Sequence, residues 1–423
     1  MSRGRSLFIA AGAAGLLMLT VTVALAAVTL SPKEQKEQLG KAIFFDQNLS
    51  LNRNLSCASC HKSAVGFTGP DSFTNLNGVV YQGSTGAFGN LKPPSSAYAT
   101  LSPILKFVDE TTGWVGGNFW NGRATGWTLG NPAAEQAKGP FLNPKEQALP
   151  DAACVVYRVS VASYPVSYEA VWGRDLGSVK WPSPKNVERS CSVLGGTVKL
   201  TAVDRATVNT AYDNIALSIA AYEGSAEVNT YSSKYDATTK GKAQLTVLEQ
   251  RGLVLFTGKA GCTACHPAGT MASFTDFSYD NLGIPVNPDK KNSLDAAAID
   301  GLGGFLKSAH YPKSVYMPEM GKQKVPTLRN VDLRPSADFV KAYGHNGYFK
   351  SLEGIVHFYN TRDVLRTCPG PYTEAKALKT KCWPAPEYAA TVNHDELGNL
   401  GLSPSEEAAI VAFLRTLSDG YQR

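Results

Sequence analysis

Cys57-Ala-Ser-Cys60-His61 and Cys262-Thr-Ala-Cys265-His266 are the two stretches whose reading decides this chain. Cys-x-x-Cys-His is the attachment signal of a c-type haem. The two thiols form thioethers to the haem vinyls, and the histidine lies under the macrocycle as the proximal iron ligand. The alternatives are a redox dithiol or half of a zinc site. Two copies, each ending in His, in a chain that opens like an exported protein argue against both.

Working outward, each motif follows a helix-like segment. The first runs from Ser31 to Phe45, with Leu39, Ala42, Ile43 and Phe44 as its apolar set. The second runs from Leu245 to Phe256, with Leu248, Leu253, Val254 and Phe256. The parallel predicts duplicated haem domains. Between them, Ala206 to Glu223 places Val208, Ala211, Ile215, Ile219 and Tyr222 at helical spacing. That segment starts the second half or bridges the two. A last helix is expected over Pro404 to Leu417, with Ser403 as N-cap, Pro404 at N1 and Glu406 completing a capping box. Regions 62–118, 147–200 and 362–400 are rich in Gly, Pro, Ser and Asn and read as long ordered loops. The fold class expected is mainly α, with cores organised by haem.

The 423 residues suit two or more domains. Arg3 and Arg5 precede an apolar run from Leu7 to Ala27, and Ala24-Leu25-Ala26 offers a small-x-small cleavage site. Residues 1–26 therefore read as a signal peptide and the mature chain as periplasmic. An uncleaved run would instead anchor the chain to a membrane. The formal charge is +6, and loss of Arg3 and Arg5 leaves +4, which four haem propionates would largely cancel. No Lys/Arg run points to nucleic acid. Outside the haem motifs lie Cys154, Cys191, Cys368 and Cys382. In an oxidising compartment Cys154–Cys191 and Cys368–Cys382 are the economical disulfides, one of three connectivities open to four cysteines.

With these pieces placed, the chain resembles the bacterial dihaem cytochrome c peroxidase superfamily, including its MauG-like branch. The resemblance is carried in order by Leu39-Gly-Lys-Ala-Ile-Phe-Phe-Asp46, the first haem motif with Gly66-Phe67, and Phe119-Trp120-Asn121-Gly122-Arg123. Glu135-Gln136-Ala137, Asn143-Pro144-Lys145-Glu146, the second haem motif and Asn281-Leu282-Gly283 follow. Pro326-Thr327-Leu328-Arg329-Asn330, Gly344-His345-Asn346-Gly347 and Phe358-Tyr359-Asn360 complete it. It implies two cytochrome-c-like haem domains facing each other, over 27–205 and 206–423, carrying two covalently bound c-type haems.

The resemblance also implies roles. His61 and His266 become the proximal ligands. Many family members cap the first iron with a distal His before the Phe-Trp segment, but no His or Met lies between His61 and Trp120. An open first haem is expected, with Tyr81, Tyr98 or Lys92 as the alternative caps. Gln136 and Glu146, ten residues apart, match the family's distal pair. Glu146 would shuttle the peroxide proton, its carboxyl raised by desolvation, and Gln136 would hold the pocket. The second distal ligand falls fourteen residues after His345, at Tyr359, in the manner of the MauG-like branch. Met317 or Met320 is the alternative. A phenolate favours the higher oxidation states of iron, a thioether the ferrous one. Trp120 would lie between the haems. Arg329 would pair with a haem propionate and His345 would orient a propionate or solvent. Family members often hold an interdomain calcium; here Lys92 falls where its Asn belongs, and Val340 and Ala342 replace Thr and Pro. The expected chemistry is oxidation by hydrogen peroxide of an exported protein partner, above all at Trp. The alternatives are a peroxidase fed by a small redox protein and, less favoured, a non-enzymatic electron carrier.

Overall fold

The computed structural model describes residues 1, 30–290 and 299–422, so the signal-peptide reading lies outside the described residues. The fold is mainly helical. Among the described residues, strands are confined to three two-residue pairings, 106–107 with 114–115, 279–280 with 323–324, and a parallel pair at 366–367 and 382–383.

Two crossed helix pairs build the two halves. Pro32–Phe45 packs on Ala202–Glu223, and Val247–Thr257 packs on Pro404–Arg415. Each crossing is closed at a glycine. A Cβ on Gly40 would sit 1.8 Å from the Ser218 carbonyl oxygen, and one on Gly252 would sit 1.9 Å from that of Ala409. Backbone approaches this close exclude any side chain. Both leading helices, and Pro404–Arg415, open on capping boxes: Ser31 with Glu34, Thr246 with Glu249, Ser403 with Glu406. Each haem motif then begins as a 3₁₀ turn, Cys57–Ser59 and Cys262–Ala264.

Leu39, Ile43, Phe44, Ile215, Ile219 and Tyr222 lie in the first core; Leu255, Phe256, Phe274, Ile410, Phe413 and Leu414 lie in the second. A small third cluster joins Leu105 and Trp114 of the first half to Tyr279, Leu302 and Leu306 of the second. The Ala202–Glu223 helix buries its face in the first core and starts four residues earlier than expected, capped by Thr201. The first core extends to Val228 and the second begins at Tyr235. A division at 205/206 therefore cuts the first core, because this helix packs back onto Pro32–Phe45 rather than forward.

The loop reading of 147–200 also needs correction. That region holds helices at Ala152–Ser160, Tyr168–Trp172 and Pro184–Cys191. Ala153 to Val159 are all buried, so the first of these offers no exposed stripe over that run. Ser72–Asn77 and Glu374–Thr380 likewise add short helices to the other two regions. Disulfides join Cys154 to Cys191 and Cys368 to Cys382, with Cα separations of 5.5 and 5.1 Å. Among the described residues no helix is long and apolar enough to cross a membrane.

Candidate functional site

His61 and His266 are presented in the same way. Residues Phe67 and Phe274 both take positive φ, 55° and 52°, which turns their carbonyls back toward the preceding histidine. Nδ1 of His61 lies 3.0 Å from the Phe67 oxygen, and Nδ1 of His266 lies 2.8 Å from the Phe274 oxygen. A carbonyl can only accept, so Nδ1 carries the proton and Nε2 keeps its lone pair. Burial pushes both imidazoles down, holding them neutral. This is the tautomer that ligates iron.

Both rings line one cavity, about 2500 Å³ of empty space counting its open mouth. The free cysteines are Cys57, Cys60, Cys262 and Cys265, the four of the two motifs. Burial pushes Cys60, Cys262 and Cys265 up to about 12, the opposite of the lowered thiol a redox dithiol needs. Paired buried thiols, a neutral histidine beside each pair and one large apolar cavity fit two covalently held haems.

On the first side, the Pro132–Leu142 helix, capped by Asn131, sends Gln136 into the cavity wall. Its neighbour Glu135 turns away and accepts from the backbone N–H groups of Gly126, Thr128 and Leu129, tying down the loop before the helix. Glu146 follows the helix. Burial raises its carboxyl, against the hydrogen bond from Asn143 Nδ2 (3.0 Å) and the charge of Arg123. Its charge acts on Cys57 and Cys60, which places it beside the first motif. The alternative caps are all engaged elsewhere. Tyr81 donates to Asn75 Oδ1, Lys92 Nζ to Thr68 Oγ1 and the Pro93 carbonyl, and Tyr98 to Asp419.

Tyr359, on the Leu352–Thr361 helix, borders the cavity beside Cys262 and Cys265. Burial raises its phenol, and its hydroxyl makes no hydrogen bond to any described residue. Neither Met317 nor Met320 borders the cavity.

Trp120 sits on the seam between the halves. Its Nε1 donates to the Lys92 carbonyl (2.8 Å), and its own carbonyl accepts from Lys324 N (2.7 Å). Its ring stands edge-on to His345, centroids 6.3 Å apart. His345 Nε2 lies 2.7 Å from Glu387 Oε2, a partner that sequence reasoning missed because it is 42 residues away. Burial would raise the Glu387 carboxyl, but the His345 hydrogen bond and charge outweigh it and hold it low.

Arg329 is the residue expected at a haem propionate. It lines the cavity, yet its guanidinium is bidentate to Asp236 at 2.9 and 3.0 Å and its Nε donates to the Ala272 carbonyl. Three of its five donors are committed to protein, which makes it first a buried ion pair.

The seam is instead strapped by lysines of the second half that donate to the first. Lys290 reaches the Asn90 carbonyl (3.0 Å), Lys324 reaches Ser102 Oγ (2.9 Å), Lys341 the Val65 carbonyl (3.0 Å) and Lys350 the Asn75 carbonyl (2.8 Å). These contacts do not suit an interdomain calcium. The Val340 carbonyl accepts from Asn75 Nδ2, Asn90 Oδ1 accepts from Lys145 Nζ, and the amino group of Lys341 fills the space among the Val65, Asn330 and Leu333 carbonyls. Oxygens already facing N–H donors are poor calcium ligands.

Comparison with known proteins agrees with this site. The profile described as Di-haem cytochrome c peroxidase matches residues 34–244. The methylamine utilization protein MauG of Paracoccus denitrificans is 30% identical over 388 residues, covering 90% of this chain and 88% of that protein. The cytochrome c551 peroxidase of Nitrosomonas europaea is 27% identical over 320 residues, covering 75% and 71%. The diheme peroxidase BthA of Burkholderia thailandensis superposes with a TM-score of 0.65 at 26% identity, over 92% of this chain and 89% of that one. Two haem-bearing crossed-helix halves around one cavity, with sequence similarity along nine-tenths of the chain, make this protein a member of the dihaem cytochrome c peroxidase/MauG family and a peroxide-dependent dihaem oxidoreductase.

Proposed function

We propose that this protein uses hydrogen peroxide to oxidise a protein partner at long range, in the MauG-like manner, with aromatic residues and Trp in particular as targets. The observation that carries the reading is Tyr359: a phenol in the cavity wall beside the second motif, with no hydrogen-bond partner among the described residues. The haems, held by Cys57, Cys60 and His61 and by Cys262, Cys265 and His266, would supply reversible storage of oxidising equivalents. An anionic oxygen donor at Tyr359 suits such storage better than a methionine would.

The chain's own groups handle the proton. Glu146 takes it from the attacking peroxide and returns it to the departing oxygen, as its partly desolvated carboxyl allows. Gln136 holds the pocket. Trp120 spans the seam between the cavity's two sides, and its indole N–H is fixed on the Lys92 carbonyl. The apolar opening of the chain supports export to the periplasm, where such a partner would be met.

A second reading is a peroxidase drawing electrons from a small cytochrome or cupredoxin, and the name of the Nitrosomonas relative favours it. Electron paramagnetic resonance of the ferric holoprotein, before and after stoichiometric peroxide, separates the two. The first reading expects one high-spin and one low-spin signal that vanish together. Two low-spin signals indifferent to peroxide would overturn it.

A further inference from the structure

Tyr98 has no part in the chemistry described so far, yet its placement is that of a redox group. It borders the haem cavity while being 1% exposed. Its backbone stands at φ 61°, a conformation bulky residues rarely take, and its N–H is pinned to Asn229 Oδ1 at 2.6 Å. The hydroxyl donates to Asp419 Oδ2 at 2.7 Å and accepts from the Tyr231 N–H at 3.1 Å. The ring meets Tyr231 edge-on, centroids 5.0 Å apart, and Tyr231 is only half-buried. Arg329 lies over both rings at 5.0 and 4.4 Å, but Asp236 holds its charge in a bidentate pair.

A phenol gives up an electron readily only if its proton leaves as well. Asp419 is a carboxylate within one hydrogen bond, and it is itself half-buried and so in reach of solvent. Among the aromatic stacks, the one that begins at Tyr359 passes through Phe358 before it reaches Trp383. A phenylalanine ring has no proton to release and resists oxidation. The Tyr98–Tyr231 pair has no such break.

We propose that Tyr98 is a redox relay, carrying electrons one at a time from a donor docked at Tyr231 to the haem cavity, with Asp419 as its proton acceptor. The inference rests on the reading that peroxide leaves oxidising equivalents in the cavity. In the outward step the Tyr98 O–H bond breaks. One electron goes to the cavity, whose peroxide-derived oxidant is reduced by one, and the proton forms a new O–H bond on Asp419. A neutral phenoxyl remains. In the return step one electron from the external donor arrives through Tyr231, and the Asp419 proton restores the phenol. The net change is one electron from the donor to the peroxide-derived oxidant, with Tyr98 and Asp419 unchanged.

The test is rapid-freeze paramagnetic resonance and stopped-flow spectroscopy of the holoprotein after stoichiometric hydrogen peroxide, with a reduced small c-type cytochrome as the probe donor. The wild type should give a tyrosyl radical signal that narrows when the protein carries ring-deuterated tyrosine. Tyr98→Phe should abolish that signal and slow oxidation of the donor by about tenfold or more. Asp419→Asn, which keeps the tyrosine, should slow donor oxidation similarly and lose the solvent deuterium isotope effect seen in the wild type. Wild-type donor kinetics in both variants would overturn the relay while leaving the peroxide chemistry standing. A wild-type protein whose haem spectrum does not respond to peroxide would overturn the reading beneath it, and the relay with it.

Discussion

At the scale of single residues, the charge state of one carboxyl sets the pH behaviour. Glu146 must be ionised to take the peroxide proton, and burial raises its carboxyl above the ordinary value of 4.5. The peroxide reaction should therefore slow as pH falls through this raised pKa and level off above it. In Glu146→Gln the rate should drop by about a hundredfold and the acid limb should disappear. Stopped-flow traces across pH measure both, and an acid limb that survives in the variant would remove Glu146 from the proton path. Tyr359→Met should leave the haem content intact but shorten the life of the peroxide-oxidised state. Unchanged decay would remove the ligand assignment. The resemblance pointed to these residues because it ties chemistry to side chains at fixed offsets: His61 directly after Cys60, Tyr359 fourteen residues after His345. Glu387 and Asp419 were not legible, since their partners His345 and Tyr98 are joined to them only by folding.

At the scale of elements, the two helix crossings are the stiffest demand the fold makes on sequence. Gly40→Ala or Gly252→Ala would drive a methyl into backbone rather than into a yielding side chain. Each should cost about 3 kcal/mol or more, at the upper end of overpacking penalties, and lower the melting temperature of the holoprotein accordingly. Calorimetry of the two variants checks this, and a melting temperature within a degree or so of wild type would show that the crossings can yield. The crossings explain why these elements could be read early. Leu39, Ile43 and Phe44 mark one buried face, and the Ser403–Glu406 capping box marks the start of Pro404–Arg415. The Ala152–Ser160 helix was missed for the converse reason: buried on nearly every side, and rich in valine, it looks like no helix until Cys191 is seen clamped to it.

At the scale of the whole molecule, the seam decides how the two cofactor sites keep their spacing. The Asp236–Arg329 pair, whose arginine lines the cavity, is buried from solvent. Burial would raise the Asp236 carboxyl, but Arg329 and Ser233 outweigh it and hold it below 3.8. A carboxyl lowered by folding stabilises the protein above its unfolded pKa, and that contribution fades as pH falls through the folded value. Asp236→Asn should therefore cost roughly 3–5 kcal/mol near neutral pH, as expected when one partner of a buried pair is lost. The deficit should shrink in acid, and denaturant unfolding at several pH values would show whether it does. Prolonged dialysis against EGTA, by contrast, should change neither the haem spectrum nor the melting temperature, because the Val340 carbonyl and Asn90 Oδ1 that such an ion would need already accept from Asn75 Nδ2 and Lys145 Nζ. A spin-state change reversed by added calcium would contradict that. None of the lysine straps was visible in the sequence, since three end on backbone carbonyls, the same acceptor whatever side chain they carry, and the fourth on a serine 222 residues away. Three of the four straps, from Lys290, Lys341 and Lys350, end on backbone carbonyls of the first half, whereas Ser102 Oγ, the Asn75 amide and the Tyr98 hydroxyl are side-chain contributions of the first half to the seam. Those three anchor points are backbone and would outlast drift in the first half's side chains, so the grip tolerates divergence there better than a row of ion pairs would.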